Sequence, residues 1–184
     1  MSDHTDFLEQ YAKHGEHFDD QDKFDLIAHS DRYYDKMDLV RNPNIGPRQL
    51  DILLDPKNDF SIRMRALDHP NLSKSNLEKA LDAPDYAIRS SALNHALVDS
   101  SHISKAINDP TDFVRANAAV HPKATHETIS RGMDDPEWIV RLHAARNPKV
   151  TKEQPSKALS DETKAVRLEA TKNMSYRTHF PEGY

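Results

Sequence analysis

The sequence predicts an all-α chain, a right-handed α-solenoid of about five to six two-helix repeats of 26 residues each. Three observations carry this expectation. A pattern of β-branched residue, Arg, two variable residues and Ala occurs five times, with arginines at Arg63, Arg89, Arg115, Arg141 and Arg167, each 26 residues from the next. Other columns keep the same step: His69, His95, His121, Asn147 and Asn173 form one, and Asp109, Asp135 and Asp161 another. Apolar residues are 36% of the 184 and charged residues 30%, against about 45–50% and about 25% in ordinary globular domains. A thin core of closely packed alanines fits that composition better than a thick central one.

Residues 1–38 do not repeat and read as an acidic helical cap. The first 40 residues hold 11 acids and 4 bases, and residues 1–38 hold six of the 13 aromatics. Phe7 and Tyr11 are an i, i+4 pair on a helix expected to stop near Gly15. Phe7, Phe18, Phe24 and Tyr33 are expected to dock on Leu39, Leu50, Leu53 and Leu54 of a degenerate first unit. The repeat region spans 39–174. In each unit a first helix carries Leu77, Ala80 and Leu81, or Ile103, Ala106 and Ile107, or Ile129 and Met133 after the cap Thr125. Asp109-Pro110 is expected to open the second helix as N-cap and first-turn proline, and Val114 and Ala118 to be its buried stripe. His121-Pro122 ends it, because a residue before proline leaves the α region. Leu72, Val98, Ala124 and Val150 should plug the seams between units. Pro155 stands where earlier units have Leu77, Ile103 and Ile129, which predicts a distorted or 3₁₀-like first helix there. Residues 175–184 read as a short irregular tail.

The run D-P-x-x-x-V-R-x-x-A-A-x-H/N-P, as at Asp109 to Pro122, resembles the short repeats of HEAT-like proteins, especially the leucine-rich repeat variant. The resemblance covers about residues 39–174. It implies a binding scaffold, with the Asp and Arg columns forming a ladder of hydrogen bonds between neighbouring units. HEAT-like DNA glycosylases use a basic concave surface lined with tryptophans. Here Trp138 is the single Trp, and residues 41–184 carry a net charge of only +2, so that activity is not expected.

Composition excludes much chemistry. There is no Cys, which removes disulfides, thiolate nucleophiles and cysteine metal sites. The four Gly are far apart, so no glycine-rich phosphate loop exists. No apolar run approaches the roughly 20 residues that span a bilayer, and the acidic start lacks a signal-peptide pattern. A cytoplasmic protein without cofactor is expected. Stacked helices lie about 8–10 Å apart, whereas zinc ligands lie about 2 Å from a shared ion, so His69, His95 and His121 are not expected to bind one metal. His14 and His17, with Glu16, Asp19, Asp20 and Asp22, lack the glycine and final glutamate of a calcium loop. No nucleophile–base pattern is visible, and no enzyme is expected.

The conspicuous columns read as scaffold. Arg115 lies six residues after Asp109, and the step recurs as Asp135/Arg141 and Asp161/Arg167. Each guanidinium is expected to hold that aspartate and nearby carbonyls. The candidate binding residues are the non-core positions of the second helices: Arg65, Asn94, Asn117, His143, Arg146 and Lys172. Their mixture is polar and changes along the array, which suits a protein or peptide more than a uniform phosphate track. The expected function is non-enzymatic protein binding, as an adaptor or an inhibitor. The alternatives are nucleic-acid binding through the Arg column and the basic C-terminal half, or nucleic-acid mimicry by residues 1–38.

Overall fold

The computed structural model describes residues 20–150 and 155–179. Among them the chain forms twelve helices and no strand. No helix among the described residues is long and apolar enough to cross a membrane. The chain divides into two compact units, Met1–Asn76 and Leu77–Tyr184.

In the first unit, α1 (Asp20–His29) lies against α2 (Tyr33–Leu39) and α3 (Pro47–Leu53), and α4 (Phe60–Leu67) lies against α2 and α3. Pro47 opens α3 at a position where its missing N–H costs nothing. The Gln49 side-chain oxygen accepts the Gly46 N–H at 3.0 Å, and its amide donates to Asp25 at 2.6 Å, which ties α3 to α1. Phe24, Leu39, Leu50, Leu53 and Leu54 are buried. Tyr33 is not: it is 40% exposed and stacks edge-on against Tyr34. It lies six residues before buried Leu39, about 120° round the helix from it. Phe7, Tyr11, Phe18 and the His14/His17 cluster lie outside the described residues.

Helix α5 (Lys74–Leu81) spans the division in sequence. The second unit continues with α6 (Tyr86–Ala92), α7 (Ser100–Ala106), α8 (Asp112–Val120), α9 (His126–Met133), α10 (Trp138–Arg146), α11 (Pro155–Leu159) and α12 (Lys164–His179). Successive second helices α6, α8, α10 and α12 pack side by side. Their β-branched column Ile88, Val114, Val140 and Val166 is buried, as is the alanine column Ala92, Ala118, Ala144 and Ala170. After each of α6, α8 and α10 a hydrogen-bonded turn delivers a buried apolar residue. The N–H groups of Val98, Ala124 and Val150 bond the carbonyls of His95, His121 and Asn147 at 2.9–3.2 Å.

Three local expectations are corrected. Asp109 is not the cap of α8, which starts at Asp112 after Thr111; the Asp109 carboxylate instead accepts the Thr111 N–H at 2.8 Å across the turn made by Pro110. From Pro155 the described helix α11, Pro155–Leu159, is α-helical and not 3₁₀, and residues 151–154 before it lie outside the described ones. The segment after 174 does not start irregular, since α12 runs on to His179. Asn173 is followed by Met174 where His121 and Asn147 are followed by proline, so nothing forces the helix to stop there.

Gly132 marks a close helix approach. A Cβ built there would lie 2.9 Å from the Ala119 Cβ of α8 and 3.0 Å from the Ala144 Cβ of α10. Both neighbours hang directly on the backbone, so no rotamer change relieves the clash. Gly132→Ala raises helix propensity by about 1 kcal/mol, yet overpacking of this kind costs about 1–3 kcal/mol. A net loss of stability is expected in thermal unfolding; a higher melting temperature would show that the helices part freely.

Candidate functional site

The arginine column forms the best-defined polar array. Arg89 Nε and Nη2 each donate to the Asp109 carboxylate at 2.8 Å, while Nη1 donates to the carbonyls of Ala83 and Pro84. Arg115 holds Asp135 at 2.7 and 3.0 Å and the carbonyls of Asp109 and Pro110. Arg141 holds Asp161 at 2.7 and 3.3 Å, the carbonyls of Asp135 and Pro136, and the Glu162 carboxylate. The carboxylate met by each arginine is therefore 20 residues ahead, in the next repeat. The aspartate six residues behind offers only its carbonyl, which corrects the expected same-repeat pairing. Both partners are mostly buried, the arginine side chains 11–14% exposed and the aspartates 6–10%. Burial pushes the Asp109 and Asp161 carboxyls up, but the Arg89 or Arg141 guanidinium and a backbone amide outweigh it and hold both below the usual range. The same hydrogen bonds raise the three arginines.

The ends of the column differ. Arg63 Nε donates to the Asn58 carbonyl, and its guanidinium lies 5.8 Å from the Phe60 ring centre. Arg167 Nη1 donates to the carbonyls of Asp161 and Glu162. Position 83, in register with Asp109, is Ala83.

The His/Asn column is a second ladder. Asn147 accepts the Lys149 N–H at 2.9 Å and donates to the carbonyls of Ala119 and His121, 28 and 26 residues earlier. Asn173 donates to the carbonyls of Ala145 and Asn147. His69 does the same with its ring: Nδ1 accepts the Asn71 N–H at 3.1 Å, and Nε2 lies 3.1 Å from the Asn42 carbonyl. His95 and His121 likewise accept the N–H of Leu97 and Lys123 on Nδ1. A ring that accepts on Nδ1 and donates from Nε2 must be the neutral Nε2–H tautomer. Asn is therefore its functional equivalent, with Oδ1 for Nδ1 and Nδ2 for Nε2.

The candidate binding residues are distributed between exposed and committed positions. Arg65 and Asn94 are exposed. The Asn117 amide is used on the buried Ser90 hydroxyl of α6. His143 is half-buried; burial pushes its ring below the ordinary range, and Nδ1 meets the Ile139 carbonyl. Arg146 and Lys172 both reach the Glu169 carboxylate, at 3.1 and 3.3 Å. Two features escape the sequence reading. Exposed bases on the first helices reach back to the preceding unit, Lys105 to Asp82, Arg131 to Asn108 and Lys157 to Asp134. Their step is again 26 residues, so the columns were available to find. Large aromatics also stand exposed at the start of the second helices: Phe60, Tyr86, Phe113 and Trp138. A shallow groove over Leu81, Leu93 and Val114 is rimmed by groups that already pair, Arg89 with Asp109 and Lys105 with Asp82. Compared with known proteins, the chain matches no protein-family model and no curated sequence.

Arg115→Ala removes four hydrogen bonds, two of them to Asp135, and leaves that carboxylate buried without its cation. A loss of about 1–3 kcal/mol is expected in denaturant unfolding; an unchanged midpoint would show that the rung carries no stability.

Burial, with the positive charge of Lys123 and Lys149 beside it, holds the His121 ring below its ordinary value. The unfolded chain therefore takes up the proton first. The stability it confers is complete above about pH 6.5 and is lost as pH falls through the folded value. His121→Asn keeps an acceptor for the Lys123 N–H and removes the titration. Its unfolding midpoint should fall less than that of the parent between pH 7.5 and 5; an equal fall in both would assign the acid sensitivity elsewhere.

Proposed function

We infer that the chain is a non-enzymatic protein-binding scaffold, an α-solenoid of HEAT-like repeats that acts as an adaptor or an inhibitor in the cytoplasm. The observation that carries this reading is the division of labour among polar residues. Those that recur every 26 residues bond neighbouring repeats to each other, as Arg115 does with Asp135. Those that vary lie exposed, Arg146 and Lys172 on second helices and Asn94 in the turn just after one. A surface that is variable in chemistry but fixed in spacing suits recognition of another protein.

The nucleic-acid alternative loses its main argument. A phosphate track needs accessible cations, and Arg89, Arg115 and Arg141 are mostly buried against carboxylates. Mimicry by the acidic head rests on residues 1–38, of which the first 19 lie outside the described ones.

Affinity purification with the full chain tests the proposal. It should recover a protein that an Asn94→Ala/Lys172→Ala chain no longer holds, while the two chains melt within about 0.5 kcal/mol of each other, as exposed substitutions do. Recovery of nucleic acid instead, with affinity falling steeply as salt rises, would overturn it.

A further inference from the structure

The row of rungs in the second unit stops at Arg167. Its Nη1 donates to the carbonyls of Asp161 and Glu162, six and five residues back, as that of Arg115 does to Asp109 and Pro110. The guanidinium therefore keeps the orientation of its predecessors. Its Nε and Nη2 face the side on which Arg89, Arg115 and Arg141 each find an aspartate of the following repeat. Among the described residues no carboxylate meets that fork. Nor does α12 turn at Asn173 towards a further repeat, since it runs on to His179.

The side chains around the fork occupy positions that a following repeat covers elsewhere. Leu168 is 52% exposed, whereas Ser90 and Ala116, at the same place in α6 and α8, are buried. Thr171 is exposed, whereas Leu93, Ala119 and Ala145 in its column are buried. Lys164 and Lys172 also stand exposed on α12. Among the described residues from 161 onward, every carboxylate is already held by a cation: Asp161 and Glu162 by Arg141, and Glu169 by Arg146 and Lys172. This end thus offers an open guanidinium fork beside an exposed leucine, with no free acid to close it.

We propose that this end of the second unit is a docking surface for a partner protein that presents a helix opened by an aspartate turn. The aspartate closes the Arg167 fork, and the apolar side of the helix covers Leu168. This deepens the scaffold reading and rests on it. The rungs within the chain define the occupant. In each, one oxygen of the aspartate also accepts the N–H two residues on, from Thr111, Glu137 or Thr163. A buried valine follows five residues after the aspartate: Val114, Val140 or Val166. A guanidinium fork selects a carboxylate held in its plane, which a single point charge does not require. A second copy of the chain has no spare aspartate at its rung positions. Asp109, Asp135 and Asp161 are each committed, and positions 57 and 83 are Lys57 and Ala83. The occupant is therefore another protein.

The probe is a synthetic peptide of residues 135–148 of the chain, which carries the Asp135 turn and Val140, with a fluorophore at its C-terminus. Its anisotropy should rise to saturation on titration with the full chain. The Asp135→Asn peptide and a thymidine oligomer of equal length should not bind. Arg167→Lys in the chain keeps a cation for the two carbonyls but loses the fork, and should weaken binding at least about tenfold. Leu168→Ser should weaken it about fivefold at an unchanged melting temperature, because that side chain is exposed. No binding of the peptide, equal binding of the Asp135→Asn peptide or of the oligomer, or full affinity in both chain variants overturns the proposal. So does a chain that self-associates in sedimentation and becomes monomeric in Arg167→Lys, which makes the occupant a second copy. The wider reading is separable. A protein partner held by wild type and both end variants, but lost by Asn94→Ala/Lys172→Ala, overturns the end surface and leaves the scaffold standing. Peptide bound through Arg167, while the full chain recovers no protein, supports the end surface and counts against the scaffold reading.

Discussion

The bidentate bond from an arginine to an aspartate 20 residues ahead is the constraint on which the second unit depends. It fixes the register of each second helix against the next, because a planar guanidinium accepts a carboxylate in only one orientation when both its Nε and Nη2 are engaged. The third edge of the same guanidinium closes on the carbonyls at the start of its own helix, as Arg115 does on Asp109 and Pro110. One side chain therefore caps a turn and joins two repeats. With register set this way, the segment between Arg and its Asp tolerates no change in length. All three intervals, Arg89 to Asp109, Arg115 to Asp135 and Arg141 to Asp161, are 20 residues.

The same constraint explains how so little apolar material suffices. The seams are held in three ways: by alanines and small β-branched residues, by the buried Arg–Asp rungs, and by side chains of the His/Asn column on the carbonyls of the preceding repeat. At Gly132 the helices approach so closely that no side chain fits. A core of this kind gains more from close contact than from bulk.

Much of this was legible in the sequence, because a fixed period shows itself in any column that the fold requires. The buried stripe Ile88, Val114, Val140 and Val166 and the alanines beside it followed from spacing alone. What spacing does not reveal is which neighbour a side chain meets. Arg115 has Asp109 nearer in sequence, yet reaches Asp135, because side chains on adjacent helices can be closer than those across a turn. The candidate binding residues were less legible for the same reason. Asn117 sits in a variable column but spends its amide on Ser90, and that partner lies 27 residues away. The exposed aromatics were missed because they do not form a clean column: Phe113 stands one position off the 26-residue step of Phe60, Tyr86 and Trp138.

The two sides of each seam in the second unit are fastened unequally. Between second helices the fasteners are buried, bidentate and nearly free of solvent competition. Between first helices they are solvated pairs such as Lys105 with Asp82, which contribute little and loosen with salt. An array built this way is an anisotropic spring. Bending that opens the first-helix side meets weak resistance, whereas bending that opens the second-helix side must break rungs. Its compliance is thus directional, with the stiff side running along the arginine line.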